Sequence, residues 1–278
     1  MQRATILAQL FRVGNSALLG ALAVFSIDEP RIGYEWSILD QVLLFVSWTT
    51  LAATAYAVND LVDRVRDRVN RPHRYLQKVD RTPLWLIASV AFAGGVAVLT
   101  GAFVPLDNFL AVEIVWASCA IGYSFGLKQR SGLLANLLTA FCVATSAAPG
   151  LLQGAAPRLL SLLPVLFLVM LAREIWKDIE DEPGDIIARL RTLPILRGKK
   201  VAARSASVID AAACVALLLG SRVGLAPEMI SACLAAVGLG ASAWLFVQPD
   251  RLPAHRVQKL HRYAAILVFF VFVAGSML

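Results

Sequence analysis

Long apolar runs separated by short polar stretches dominate the chain, and the runs lie close to the ~20 residues that an α-helix needs to cross hydrocarbon. Nine such spans are legible, at residues 5–27, 38–58, 84–104, 108–125, 133–153, 159–176, 201–221, 227–247 and 263–278. Two of the intervening connections, 59–83 and 177–200, are too polar to enter a bilayer and too long for simple turns. The pattern predicts an all-α polytopic membrane protein made of one domain over residues 1–278. Its first helix is read as uncleaved, because Arg12 splits the apolar region that a signal peptide would need.

Composition and charge sharpen this picture. Of 278 residues 58% are hydrophobic and 16% charged, too apolar for a soluble chain of this length. The net charge of +7 could suggest a nucleic-acid partner, but the placement of the charges argues against one. When the connections are assigned alternately to the two sides of a membrane, 23 of the 26 Lys and Arg fall on one side; only Arg31, Arg158 and Arg222 fall on the other. The positive-inside rule then places the amino terminus and both long connections in the cytoplasm, at a bacterial or archaeal plasma membrane. Cys119, Cys142, Cys214 and Cys233 stand singly in apolar spans, and the three histidines lie in polar connections, so neither a disulfide framework nor a histidine metal site is indicated. The tryptophans sit mostly near span ends, as an interfacial belt would place them.

The chemistry concentrates in the two long connections. Read as a helix, the first puts Asn59, Asp63 and Asp67 on one face at intervals of four, with Asp60 beside Asn59. At about 4 Å and an effective dielectric near 20, each pair of like charges repels by roughly 4 kcal/mol, so the row calls for protonation, arginines or a cation. Interleaved Arg64, Arg66 and Arg68 also allow a plain solvated helix. The second connection shifts the balance: Glu174, Asp178, Asp181 and Asp185 recur at four, three and four residues, again one face, with Pro183-Gly184 expected to end the helix before Asp185. Two such clusters facing one another could hold Mg²⁺ and, through it, a diphosphate. Membrane-embedded Arg12 and Asn15, one turn apart, need a partner or a polar cavity, although Arg12 could also snorkel to the interface. Glu113 lies within a span and is left outside the site.

These motifs resemble the UbiA superfamily of intramembrane prenyltransferases. Asn59-Asp60-x-x-Asp63-Arg64-x-x-Asp67-x-x-Asn70-Arg71-Pro72-x-Arg74 is similar to its first aspartate-rich motif. Lys177-Asp178-x-x-Asp181-x-x-Gly184-Asp185 is similar to the second, in the form found in archaeal geranylgeranylglyceryl phosphate geranylgeranyltransferases and their relatives. Arg12-x-x-Asn15, the segment from Tyr123 through Lys128 to Asn136, and Arg191-Thr192-Leu193-Pro194 resemble lesser signatures. The chain departs where the family commonly has Arg-Pro-Leu-Pro-x-Gly and this sequence has Arg74-Tyr75-Leu76-Gln77-Lys78-Val79, and where Ala135 replaces a frequent glycine.

The resemblance implies about nine helices around a central cavity capped by cytoplasmic helical connections. It implies Mg²⁺ on Asn59, Asp63, Asp67, Asp178, Asp181 and Asp185, with Asp63, Asp67, Asp178 and Asp181 as the catalytic carboxylates. Arg64, Arg71, Lys128, Lys177 and Tyr123 would face the diphosphate; Arg12, Asn15, Asp60 and Asn136 would line the substrate pocket. The implied reaction takes a polyprenyl group from an isoprenyl diphosphate to an aromatic or lipid-like acceptor through an allylic cation. A terpene cyclase on the same scaffold is the near alternative. A cation-coupled transporter is the distant one, and it would place its acids inside the spans rather than in the connections.

Overall fold

The computed structural model describes residues 2–27, 35–78, 82–152, 157–221, 255–261 and 263, and among these every regular element is a helix. The expected spans at 227–247 and 263–278, with Cys233 and Trp244, lie almost wholly outside the described residues. The chain forms two compact units, residues 1–126 with 146–154, and 127–145 with 155–278.

In the first unit α1 (Gln2–Leu10) and α2 (Val13–Phe25) form a broken span, bent by 51°, in place of the single expected helix. The break falls on Arg12, whose φ of 45° lies in the left-handed region. Ser16 Oγ donates to the Phe11 carbonyl at 2.8 Å, which satisfies a group the break would otherwise leave bare. Next come α3 (Ile38–Val62), the short α4 (Arg64–Asn70) and α5 (Tyr75–Lys78), then α6 (Leu84–Gly101) and α7 (Phe109–Gly122). A Ser37/Asp40 capping box starts α3 by satisfying donors at its first turn. Thr50, Thr54, Thr100 and Ser89 bond back to carbonyls four residues earlier, so their hydroxyls are satisfied within their own helices.

By length and composition, three described helical stretches can cross a membrane: Ile38–Val62, Leu84–Gly101 and Phe109–Arg130; the bent pair makes a fourth. Their outward faces are greasy, with Ile38, Leu84, Phe92, Leu99 and Val115 all exposed. Such a surface suits lipid and would be a liability in water. Trp48 and Trp116 are buried rather than interfacial: Trp48 packs its ring 5.7 Å from those of Phe109 and Trp116. Beside them Glu113 accepts from Ser47, and Gly101 admits the carboxylate because any Cβ there would overlap Glu113 Oε2. This contact ties α3, α6 and α7 together where small residues allow helices to approach closely.

In the second unit α8 (Lys128–Arg130) leads into α9 (Gly132–Ala144), with α11 (Pro157–Ile187), α12 (Leu193–Arg197) and α13 (Lys199–Ser221) following; α10 (Ala148–Leu152) belongs to the first unit. The 31-residue α11 does not stop at Pro183 but continues to Ile187, carrying Asp185 inside the helix. A proline removes one intrahelical donor, a loss that an otherwise packed helix can bear. The apolar residues Ala172, Ile175, Trp176 and Ile179 recur at helical spacing and pack with Ala202, Ala203 and Ala206 of α13 and with Val257 of a helix at 255–261. Trp176 is thus a core residue.

Gly101→Ala is expected to destabilise the protein by about 1–3 kcal/mol through overpacking. Adding Glu113→Ala should recover part of that loss. Thermal unfolding of the four forms of this double-mutant cycle in detergent checks it; strict additivity would show that the two positions do not compete for space.

Candidate active site

Both acidic stretches are buried, which is unusual for the most polar parts of an apolar chain. In the first unit Asn59, Asp60, Asp63 and Asp67 are all at most 8% exposed. Asp63 is shared by the end of α3 and the start of α4, and backbone hydrogen bonds from Asp63 to Asn59 and from Asp67 to Asp63, both 2.9 Å, carry the row across the junction. Asp60 pairs with Arg12 and, at 2.9 Å, with Arg74. The Arg12 side chain also lies 4.9 Å from the centre of the Tyr56 ring, so the break in the first span delivers its guanidinium to this cluster. Asp63 pairs with Arg66 at 2.6 Å, and Asp67 with Arg71 at 2.8 Å and Arg74 at 3.4 Å.

Asn59 Oδ1 accepts from Tyr123 Oη at 2.8 Å and from Ser124 Oγ at 3.2 Å. Those donors stand where α7 ends; Gly126, with φ of 89°, then lets the chain turn away. Arg64 points elsewhere, to the Leu76 carbonyl at 3.0 Å and Thr82 at 3.2 Å, where it braces the loop after the first motif. Asn15 sits half-buried in the first turn of α2.

In the second unit Glu174, Asp178, Asp181 and Asp185 form the buried acidic face of α11, turned away from its apolar stripe. Asn136 Nδ2 of α9 donates to Asp178 Oδ2 at 2.7 Å. Lys177 and Arg173 both hold Glu174, at 3.0 and 2.5 Å, and the charge of Lys128 also bears on it. The segment leading to α12 is tied to the start of α9, where Gly132 N donates to the Arg191 carbonyl at 3.0 Å.

Arg66, Arg74, Ser124 and Glu174 have no site role in the sequence reading. Arg66 is only 4% exposed, although it reads as one of several surface-like arginines. Its spacing of three from Asp63 is a helical pairing distance, and that was the available signal.

The donor set fits Mg²⁺ in kind, being hard carboxylate and amide oxygens shielded from bulk water. Among the described residues no three acidic, His or Cys side chains converge into a ready cage. Mg²⁺ does not need one, since it keeps water and phosphate in its shell. The charge state of the second cluster also favours a cation. Burial, joined by the charges of Asp185 and Glu174, pushes the Asp178 carboxyl up to about 7 despite the Asn136 hydrogen bond and nearby Lys177.

In the unfolded chain Asp178 would titrate near about 4. The folded protein therefore holds this proton more tightly, and metal-free protein should lose stability as pH rises from about 4 through about 7. Asp178→Asn is expected to flatten that slope. Thermal unfolding in EDTA across this range tests it, and an unchanged slope in the variant would count against the assignment.

Comparison with known proteins matches these features to one family. A profile of the UbiA prenyltransferase family aligns with residues 17–275. A digeranylgeranylglyceryl phosphate synthase of Thermococcus gammatolerans is 28% identical over 282 residues, covering 97% of this chain and 98% of its own. The fold is similar to that of a UbiA homolog from Aeropyrum pernix K1, with TM-score 0.77 at 18% identity over 96% of this chain and 99% of that one. It is also similar to a UbiA homolog from Archaeoglobus fulgidus bound to DMAPP and Mg²⁺, with TM-score 0.67 at 18% identity over 95% and 99%. With its two aspartate-rich helices in family order and the family profile spanning nearly its whole length, the chain belongs to the UbiA prenyltransferase family and is an intramembrane prenyltransferase.

Proposed function

We propose that the protein transfers a polyprenyl group from an isoprenyl diphosphate to a lipid-like or aromatic acceptor, with Mg²⁺ as cofactor, inside a single domain of about nine helices around a central cavity. The observation that carries this reading is the burial of two separate rows of carboxylates, each on a helix that continues from an apolar span. Similarity to digeranylgeranylglyceryl phosphate synthases supports a glyceryl-phosphate lipid as the first acceptor to try and a geranylgeranyl donor with it. The basic-residue asymmetry supports a cytoplasmic amino terminus and cytoplasmic connections.

Asn59, Asp63 and Asp67 in one unit, and Asp178, Asp181 and Asp185 in the other, are the residues that would hold the metal. When bound, Mg²⁺ supplies Lewis-acid stabilisation of the departing diphosphate. The protein's own groups do the rest. Arg71, Lys128 and Lys177 offer charge-assisted donors to phosphate oxygens; Arg64 contributes by holding the loop, and beyond that through any donor the loop leaves to the ligand. Tyr123 and Ser124 fix the Asn59 amide, and Asn136 fixes Asp178, so these ligands are oriented before substrate arrives. As the allylic C–O bond breaks, positive charge develops on the prenyl group. Apolar helices exclude the water that would otherwise capture it, leaving the acceptor oxygen or ring carbon as the nucleophile.

The test is diphosphate release by the purified protein given geranylgeranyl diphosphate, with Mg²⁺ or EDTA, with geranylgeranylglyceryl phosphate or an aromatic acceptor, and with none. Release that needs both Mg²⁺ and an acceptor supports transfer. Release without an acceptor would indicate a cyclase, and none under any condition would refute the proposal. Asp63→Ala and Asp181→Ala are each expected to lower turnover at least about a hundredfold. Glu113→Gln, remote from both motifs in sequence and able to keep its Ser47 contact, should leave turnover within about twofold. Equal losses in all three variants would contradict the site.

A further inference from the structure

The first motif carries more positive than negative charge. Among the described ion pairs, three carboxylates, Asp60, Asp63 and Asp67, meet four guanidiniums, Arg12, Arg66, Arg71 and Arg74. Arg71 and Arg74 lie at the edge of the row, with side chains 19% and 30% exposed, where an incoming anion can reach them, whereas Arg12 is held between Asp60 and the Tyr56 ring. Arg66 differs. Its side chain is 5% exposed, its Nη2 lies 2.6 Å from Asp63 Oδ2, and its Nε lies 3.6 Å from Asp67 Oδ1. One guanidinium thus spans the two carboxylates expected to bind metal, the place where a divalent cation would have to enter.

Resting on the metal-dependent reading above, we propose that Arg66 is a built-in counter-cation of the first motif, which makes uptake of a divalent metal there conditional on the donor's diphosphate. With Arg66 in place, a bare dication meets a cluster already over-neutralised by arginines and is repelled. A diphosphate brings the missing negative charge, draws the outer arginines to itself and leaves the aspartates to be shared with metal. Metal and diphosphate therefore bind together, each raising the affinity of the other by the same factor. The consequence is a site that does not load metal idly and does not hold the anion firmly without it.

The experiment uses the full chain in detergent or nanodiscs, carrying Asp178→Asn, Asp181→Asn and Asp185→Asn so that metal binding reports the first motif. Bound Mn²⁺ is read by electron paramagnetic resonance, with and without inorganic pyrophosphate and after correction for Mn²⁺ complexed by free pyrophosphate. Pyrophosphate is expected to tighten Mn²⁺ binding by about tenfold or more, and Arg66→Gln to tighten binding in its absence by a similar factor while shrinking the coupling. Arg66→Lys, which keeps the charge, should retain the coupling. Equal Mn²⁺ affinity with and without pyrophosphate in the Arg66 protein would overturn the proposal even if Arg66→Gln failed to fold, as would a folded Arg66→Gln that bound Mn²⁺ unchanged. Failure to bind Mn²⁺ even with pyrophosphate would overturn the metal-dependent reading of this motif, and this inference with it.

Discussion

The constraint on which the structure depends is the cost of holding carboxylates in an apolar protein. An unpaired buried ion costs several kcal/mol even after relaxation, and breaking a buried pair leaves that cost exposed. The first unit meets it with arginines gathered from far along the chain: Arg12 from the break in the first span, Arg66 and Arg71 from α4, and Arg74 from the following loop. The second unit meets it with Asn136 on Asp178 and with Arg173 and Lys177 on Glu174, and burial beside Asp185 raises the proton affinity of Asp178. The first cluster is surrounded by guanidiniums; in the second, Asp178 holds its proton more tightly while neighbouring Glu174 is paired with Arg173 and Lys177. Both are means of burying acids in the absence of metal.

The helices serve this arrangement by reversing the usual distribution of polarity. Large apolar side chains such as Ile38, Leu84 and Phe92 face outward, while the carboxylates of both acidic rows are enclosed. Thr50, Thr54, Ser89 and Thr100 bond within their own helices, so these hydroxyls need no outside partner, whereas Ser47 reaches across to Glu113. Packing is delegated to small residues and to a few large rings, such as Trp48 against Phe109 and Trp116 in one unit and Trp176 against the alanines of α13 in the other. The local irregularities fall where function needs them. Arg12 breaks a span to reach Asp60, Gly126 turns the chain just after Tyr123 and Ser124 have reached Asn59, and α11 runs through Pro183 so that Asp185 stays on the acidic face.

The sequence by itself determined the all-helical membrane character, the two acidic faces and the family, because apolar run length and four-residue spacing are local properties of the chain. It also indicated that Asn59, Asp63, Asp67, Asp178 and Asp181 share an environment within each stretch, since helical periodicity alone brings them to one face. What only the tertiary structure decided was the pairing. Nothing in the spacing says that Arg12 would meet Asp60 across 48 residues, that Asn136 would hold Asp178 across 42, or that Glu113 would be enclosed by Ser47 and Gly101 rather than join the site. Arg64 and Arg66 are two residues apart with the same charge, yet one braces a loop and the other is buried between aspartates. Two residues apart on a helix, their side chains leave in directions about 200° apart, so each meets different neighbours.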